Sequence, residues 1–269
     1  MQSPLTNFLD AAERRGKLNL RTADIAQELP GVSADALRQA LHRQQRKGRI
    51  VRASRGSAHW VIVPLQDAQS GAPPMETWLD AYLSKTLGVP YYVGLLSAAE
   101  VYGASPQAVM VTQVMTPGAR RPVQVGRHRL VFLKNTRTAQ MPTQWHETPH
   151  GRFKVSTPEL TVLDLLARQP DGGGIARIAE ILQRLTPDMT AQGLINALEA
   201  VQETPTAQRL GALLSQLDQP QLTNLLATWL ETRSSRRIRL VTGVAELGES
   251  TLDSRFKVHV PDVLLSANT

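Results

Sequence analysis

The stretch SADALRQALHRQQRKGRIVRASRGSAHWVIV (residues 33–63) decides the fold of the N-terminal part of the chain. Ser33 is a good N-cap, and Asp35 lies in the first turn, where a negative charge complements the helix dipole. At 100° per residue, Leu37, Ala40, Leu41 and the stem of Gln44 share one side of a helix that runs to about Lys47 and stops at Gly48. The other side carries Asp35, Gln39, His42 and Arg46, flanked by Arg38 and Arg43. Arg49–Arg52 then reads as a strand, Ser54–Ser57 as a turn, and 58–63 as a returning strand.

Upstream, Leu5, Phe8, Leu9 and Ala12 mark a first helix that Pro4 opens and Gly16 closes. Leu18 and Leu20 alternate with polar residues as a short strand. A second helix, with Thr22 as its expected cap and Ile25, Ala26 and Leu29 facing inward, stops at Pro30-Gly31. Helix, strand, helix, turn, basic helix and an Arg/Gly-tipped hairpin is the order of a winged helix-turn-helix. Trp60 is expected to close the small core under the hairpin.

Charge follows the same division. Eleven of the 30 Lys+Arg and five of the 23 Asp+Glu lie in residues 1–65, so that +6 of the net +7 is there. Five basic residues between 38 and 49 suit a helix that reads DNA: Arg for guanine, Gln for adenine, and further Arg and Lys for phosphates. The expected DNA-contacting residues are Ser33, Arg38, Gln39, His42, Arg43, Arg46 and Lys47 from the helix, with Arg52 and Arg55 from the wing.

The expected domains are residues 1–66, a linker at 67–74 centred on Ser70-Gly71-Ala72-Pro73-Pro74, and residues 75–269 as a larger mixed α+β domain with a helical majority. The fold class is thus α+β and helix-rich. Met75, Trp78, Leu79, Tyr82 and Leu83 predict a helix, as do 93–102, 158–168, 175–185, 191–201, 207–217 and 222–232. Strands are expected at 108–115, 122–125, 128–134, 153–155, 237–241 and 255–260. Arg120, Arg121, Arg127 and Arg129 form a second basic surface, read first as the charged face of a hairpin and otherwise as a second nucleic-acid or acidic-partner contact.

A hydrophobic fraction of 42% suffices for a packed core, the absence of cysteine excludes disulfides, and no apolar run reaches the 18 or so residues of a membrane span. A cytoplasmic, nucleoid-associated protein is expected. His146-Glu147-Thr148-Pro149-His150 matches H-E-x-x-H, but Pro149 would break the single helical face that zinc chemistry needs. A zinc peptidase is therefore the remote alternative. Gly172-Gly173-Gly174 lacks a P-loop around it, and Gly56-Ser57 with Asp67 lacks the second carboxylate of a nucleotidyltransferase, since residue 69 is Gln69. No catalytic set, metal site or cofactor is expected.

Residues 91–100 (YYVGLLSAAE), 155–164 (VSTPELTVLD) and 208–214 (QRLGALL) resemble, in order and spacing, motifs of the AbiEi antitoxins of type IV toxin–antitoxin (AbiE, abortive-infection and phage-defence) systems. The resemblance implies an operon autorepressor that binds inverted repeats in its own promoter, as a monomer or weak dimer paired on DNA. It also implies a C-terminal domain that counters a nucleotidyltransferase-like toxin, with direct contact between the two left open. The alternative is a stand-alone regulator whose second domain senses a ligand or partner.

Overall fold

The structure, a computed structural model, describes residues 3–243 and 249–265. The fold is mixed α+β with a helical majority. Its residues divide into two compact units. Of the described residues, the first holds those up to Tyr92, Met110–Ala139 and Trp145–Lys154; the second holds Val93–Val109, Gln140–Gln144 and those from Val155 on. No helix among the described residues is long and apolar enough to cross a membrane.

Residues 3–63 fold as α1 (Pro4–Arg14), β1 (Asn19–Arg21), α2 (Thr22–Glu28), α3 (Ala34–Arg46), β2 (Ile50–Arg52) and β3 (His59–Ile62). The three strands form an antiparallel sheet in the order β1-β3-β2, with Leu20 opposite Trp60 and Val51 opposite Val61. Leu5, Leu9, Ile25, Leu37, Leu41, Ile50 and Trp60 meet in one core. Serines cap α1 and α3: Ser3 and Ser33 accept from the N–H groups of Thr6 and Ala36. Thr22, expected as the cap of α2, is not one. Its hydroxyl accepts from the indole N–H of Trp60 at 3.0 Å and donates to the carbonyl of Ala58, so it ties α2 to the hairpin instead.

The same unit continues through 67–74, whose second half packs against it. Ala72 and Pro73 are buried, and the Ser70 carbonyl accepts from the N–H of Arg127. The helix expected from Met75 onward is a 3₁₀ turn at Met75–Thr77 followed by a wide π-type turn at Ala81–Thr86, in which the Leu87 N–H reaches back five residues to the Tyr82 carbonyl. Trp78, Leu79, Tyr82 and Leu83 are nonetheless buried, as their spacing requires. After β4 (Tyr92–Val93), the unit adds β5 (Thr112–Thr116), β6 (Val123–Val125) and β7 (His128–Lys134). Here β7 pairs in parallel with β5 and antiparallel with β6. A hairpin of β8 (Thr143–Thr148) and β9 (Gly151–Ser156) follows; the β8 strand was not expected.

In the second unit, α4 (Leu95–Val101), α6 (Ile175–Leu185), α7 (Ala191–Val201) and α8 (Thr204–Gln216) surround α5 (Pro158–Ala167), nearly every residue of which is buried. Gly172–Gly174 form the turn between α5 and α6. Helix α9 (Pro220–Glu231) packs on α8. A small sheet of β10 (Ile238–Arg239), β11 (Ser250–Asp253) and β12 (Val258–Pro261) runs in the order β10-β12-β11.

Gly211 of α8 faces the buried ring of Phe256, and a Cβ there would collide with the ring carbons. In an ordinary helix Gly→Ala stabilises by about 1 kcal/mol. Overpacking costs ~1–3 kcal/mol and should win here. Gly211→Ala is therefore expected to lower the melting temperature, and less so in a Phe256→Leu background. A stabilised Gly211→Ala protein would show that the helix and the 254–257 turn do not pack so tightly.

Candidate nucleic-acid interface

The inner side of α3 is fixed by Leu37, Leu41 and Gln44, whose side-chain amide donates to the Thr6 hydroxyl at 2.8 Å. This anchoring turns the opposite side outward. Gln39, His42, Arg43, Arg46 and Lys47 are all exposed, and their side chains make no hydrogen bond or ion pair among the described residues. Arg38 is exposed but pairs with Asp35 at 2.8 Å, an i,i+3 contact worth little in water. Ser33 is occupied as the N-cap, although its place at the start of α3 keeps it exposed.

Other basic residues counted from the sequence serve the fold. Arg49 reaches Asp10 at 2.8 Å and also Glu13, and so fastens β2 to α1. Arg21 pairs with Asp24 at 2.8 Å. Arg52 is half-buried, and its guanidinium lies 4.3 Å from the centre of the Trp60 ring. That cation–π contact holds it along the hairpin rather than at its tip. Trp60 itself is buried, as expected. At the tip, the Ser57 N–H donates to the Ser54 carbonyl, Gly56 takes φ of +78°, and Arg55 is exposed.

A feature the sequence did not reveal lies beside the hairpin. His59 is 1% exposed; its Nε2 meets Asn19 Oδ1 at 3.1 Å and its Nδ1 meets the Thr86 hydroxyl at 2.8 Å. Because Asn19 Oδ1 can only accept, Nε2 carries the proton of the neutral ring. Burial, with a smaller contribution from Arg21, pulls the His59 pKa down to about 4.

On the β6–β7 hairpin, Arg121, Arg127 and Arg129 are exposed and Gln124 lies opposite Arg129, while Arg120 is partly buried. The H-E-x-x-H residues lie on β8 and the turn after it, with the His146 ring 5.1 Å from that of Phe153. His146 and His150 thus share no helical face, and the geometry that the zinc-peptidase alternative needs is not there.

Replacing Lys47 and Arg55 by alanine should weaken binding to specific and unrelated DNA alike. It should also lower the slope of log affinity against log salt by roughly 0.9 for each phosphate that is no longer neutralised. Salt titrations that give unchanged slopes would remove both residues from the interface.

Residues 92–216 match the family model of the AbiEi antitoxin C-terminal domain. No curated protein matches the chain. Among solved structures, the crystal structure of the RV2827C protein from Mycobacterium tuberculosis is similar, with a TM-score of 0.68 over 97% of this chain and 93% of that one, at 18% identity. At that identity the likeness is one of fold.

Proposed function

The chain belongs to the AbiEi antitoxin family by its residues 92–216, and from that premise we propose that it is also a DNA-binding autorepressor whose residues 3–63 act as a winged helix-turn-helix. AbiEi antitoxins are not a family of enzymes. The observation that supports the DNA-binding half is the row of unpaired polar and basic side chains on the outer side of α3, next to a hairpin tipped by Arg55. Exposed ion pairs are worth little in water, so these side chains stay free at no cost to the fold. A helix that keeps Gln39, His42, Arg43 and Arg46 free on one face presents donors at the spacing major-groove edges require.

In this reading, two copies occupy an inverted repeat in the promoter of their own operon and repress it. The second unit counters a nucleotidyltransferase-like toxin encoded next to it, with or without touching it. A reporter fused to the upstream DNA, together with growth of cells expressing the adjacent gene, tests both halves separately. Repression that is lost with Arg43→Ala, while growth rescue persists, is expected. Rescue without any repression by the native chain would leave the antitoxin role and remove the autorepressor.

A further inference from the structure

From Val101 to His146 the chain carries no Asp or Glu, and its six cations there, Arg120, Arg121, Arg127, Arg129, Lys134 and Arg137, cluster on and around β6 and β7. The residues beyond 65 sum to a net charge of only +1, so this segment stands against an acidic excess in the rest of them. Arg121, Arg127 and Arg129 are exposed, and their side chains make no hydrogen bond or ion pair among the described residues. Gln124, also exposed, lies directly opposite Arg129.

Charge on an edge strand ordinarily keeps a sheet from pairing with another chain. Here the arginines are in the wrong places for that task. Strand β6 is at the edge of its sheet, yet its own residues are Val123, Gln124 and Val125. Arg129 stands on β7, which is paired on both sides and has no edge to guard. Arg127 is in the turn, and Arg121 precedes β6.

The turn is also firmly held. Gly126 has φ of +55°, and a Cβ there would run into the backbone of Ser70, Gly71 and Ala72. The Arg127 N–H donates to the Ser70 carbonyl at 2.9 Å, and the His128 ring lies edge-on to Trp78, with centroids 6.2 Å apart. Seven residues separate Ser70 from Val63, whose N–H donates to the Arg49 carbonyl at the base of the wing. Such a segment spans at most ~25 Å, less than the ~34 Å of one turn of duplex DNA. Because the hairpin backbone is already ordered, only side chains lose freedom on meeting an anion, and each guanidinium matches two phosphate oxygens.

We propose, resting on the DNA-binding reading of residues 3–63, that Arg121, Arg127 and Arg129 form a second contact of the first unit with duplex DNA, one that neutralises phosphates and reads no bases. Separate exposed cations on a hairpin suit a ligand whose anions repeat along its length, as duplex phosphates do. Contacts to phosphate fix position without adding sequence preference, so the hairpin supplies affinity and leaves the choice of sequence to α3.

The test is a fluorescence-anisotropy titration of the 269-residue chain over a series of salt concentrations. It uses a labelled duplex of the DNA upstream of its own gene and an unrelated duplex of equal length. Arg121→Gln, Arg127→Gln and Arg129→Gln combined should weaken both duplexes by a similar factor, roughly 10- to 100-fold. The slope of log affinity against log salt should fall by roughly 0.9 per residue. Preference for the upstream duplex should persist, unlike in Gln39→Ala with Arg43→Ala. A control that removes the same charge from the second unit, Arg184→Gln, Arg236→Gln and Arg237→Gln, should keep the native slope. All six side chains are exposed, so neither triple variant should lower the melting temperature. An unchanged slope in the hairpin variant overturns the inference and leaves the winged helix as the DNA reader; so does an equal fall in the control. Native DNA binding combined with lost growth rescue in the hairpin variant also overturns it, and assigns the surface to an acidic protein partner. If the native chain binds neither duplex, the reading of residues 3–63 falls, and the hairpin contact with it.

Discussion

Alanine at Arg43 and Gln39 is expected to abolish operator preference while leaving the fold unchanged. Each side chain lies on the solvent side of α3 and has no partner to lose, so stability should move by no more than ~0.5 kcal/mol. A bidentate contact to a guanine or adenine edge discriminates by ~1–3 kcal/mol, or about 5- to 150-fold per residue. The double variant should therefore bind the operator little better than unrelated DNA, with the salt dependence largely retained. Competition binding with operator and scrambled duplexes reads this directly. If Arg43→Ala keeps full operator affinity, α3 does not present this face to the bases.

A second large effect is expected from acid. His59 is neutral in the folded chain and ionises only near pH 4, whereas the unfolded ring ionises near 6.5. Above about pH 6.5 neither state takes up the proton and stability is unaffected. Between 6.5 and 4 the unfolded chain binds a proton that the folded chain refuses, so stability falls by ~1.4 kcal/mol per pH unit, roughly 3 kcal/mol across the window. His128, also pulled down mainly by burial, acts in the same direction. Urea unfolding at pH 7 and pH 4.5 should show the loss in the native chain and a smaller one in His59→Gln. Parallel pH profiles for the two proteins would mean that His59 is not sealed between Asn19 and Thr86.

What the sequence makes legible depends on whether a residue's role is local. Helices α6 and α7 occupy the expected residues because a Gly turn and a Thr cap bound strong apolar stripes. Residues 75–83 show which side chains go inside, but apolar spacing does not distinguish an α-turn from a 3₁₀ or π turn. Strands β8 and β11 are hidden in the sequence because their burial does not alternate: Trp145 is 40% exposed, and Ser250–Asp253 contains one aliphatic residue. The candidate interface is legible in outline only. Amphipathicity separates the two sides of α3, yet nothing in the order of residues says that Arg49 will meet Asp10 and Glu13 or that Arg52 will lie on Trp60. Those pairings are made across the fold. Glu159 does leave a trace, as an acid in the otherwise apolar and hydroxyl-bearing run from Pro158 to Leu163, but its partner, Thr190, stands at the start of α7 and is met only across the fold.

The most direct measurement is a mobility-shift titration of the 269-residue chain on the DNA upstream of its own gene, with unrelated competitor and at two salt concentrations. Specific binding that weakens with salt, and that Gln39→Ala with Arg43→Ala reduces to the level of unrelated DNA, is predicted. No binding, or binding that unrelated competitor removes as readily as operator, would contradict a DNA-reading role for residues 3–63 and leave the basic face of α3 as a surface for protein.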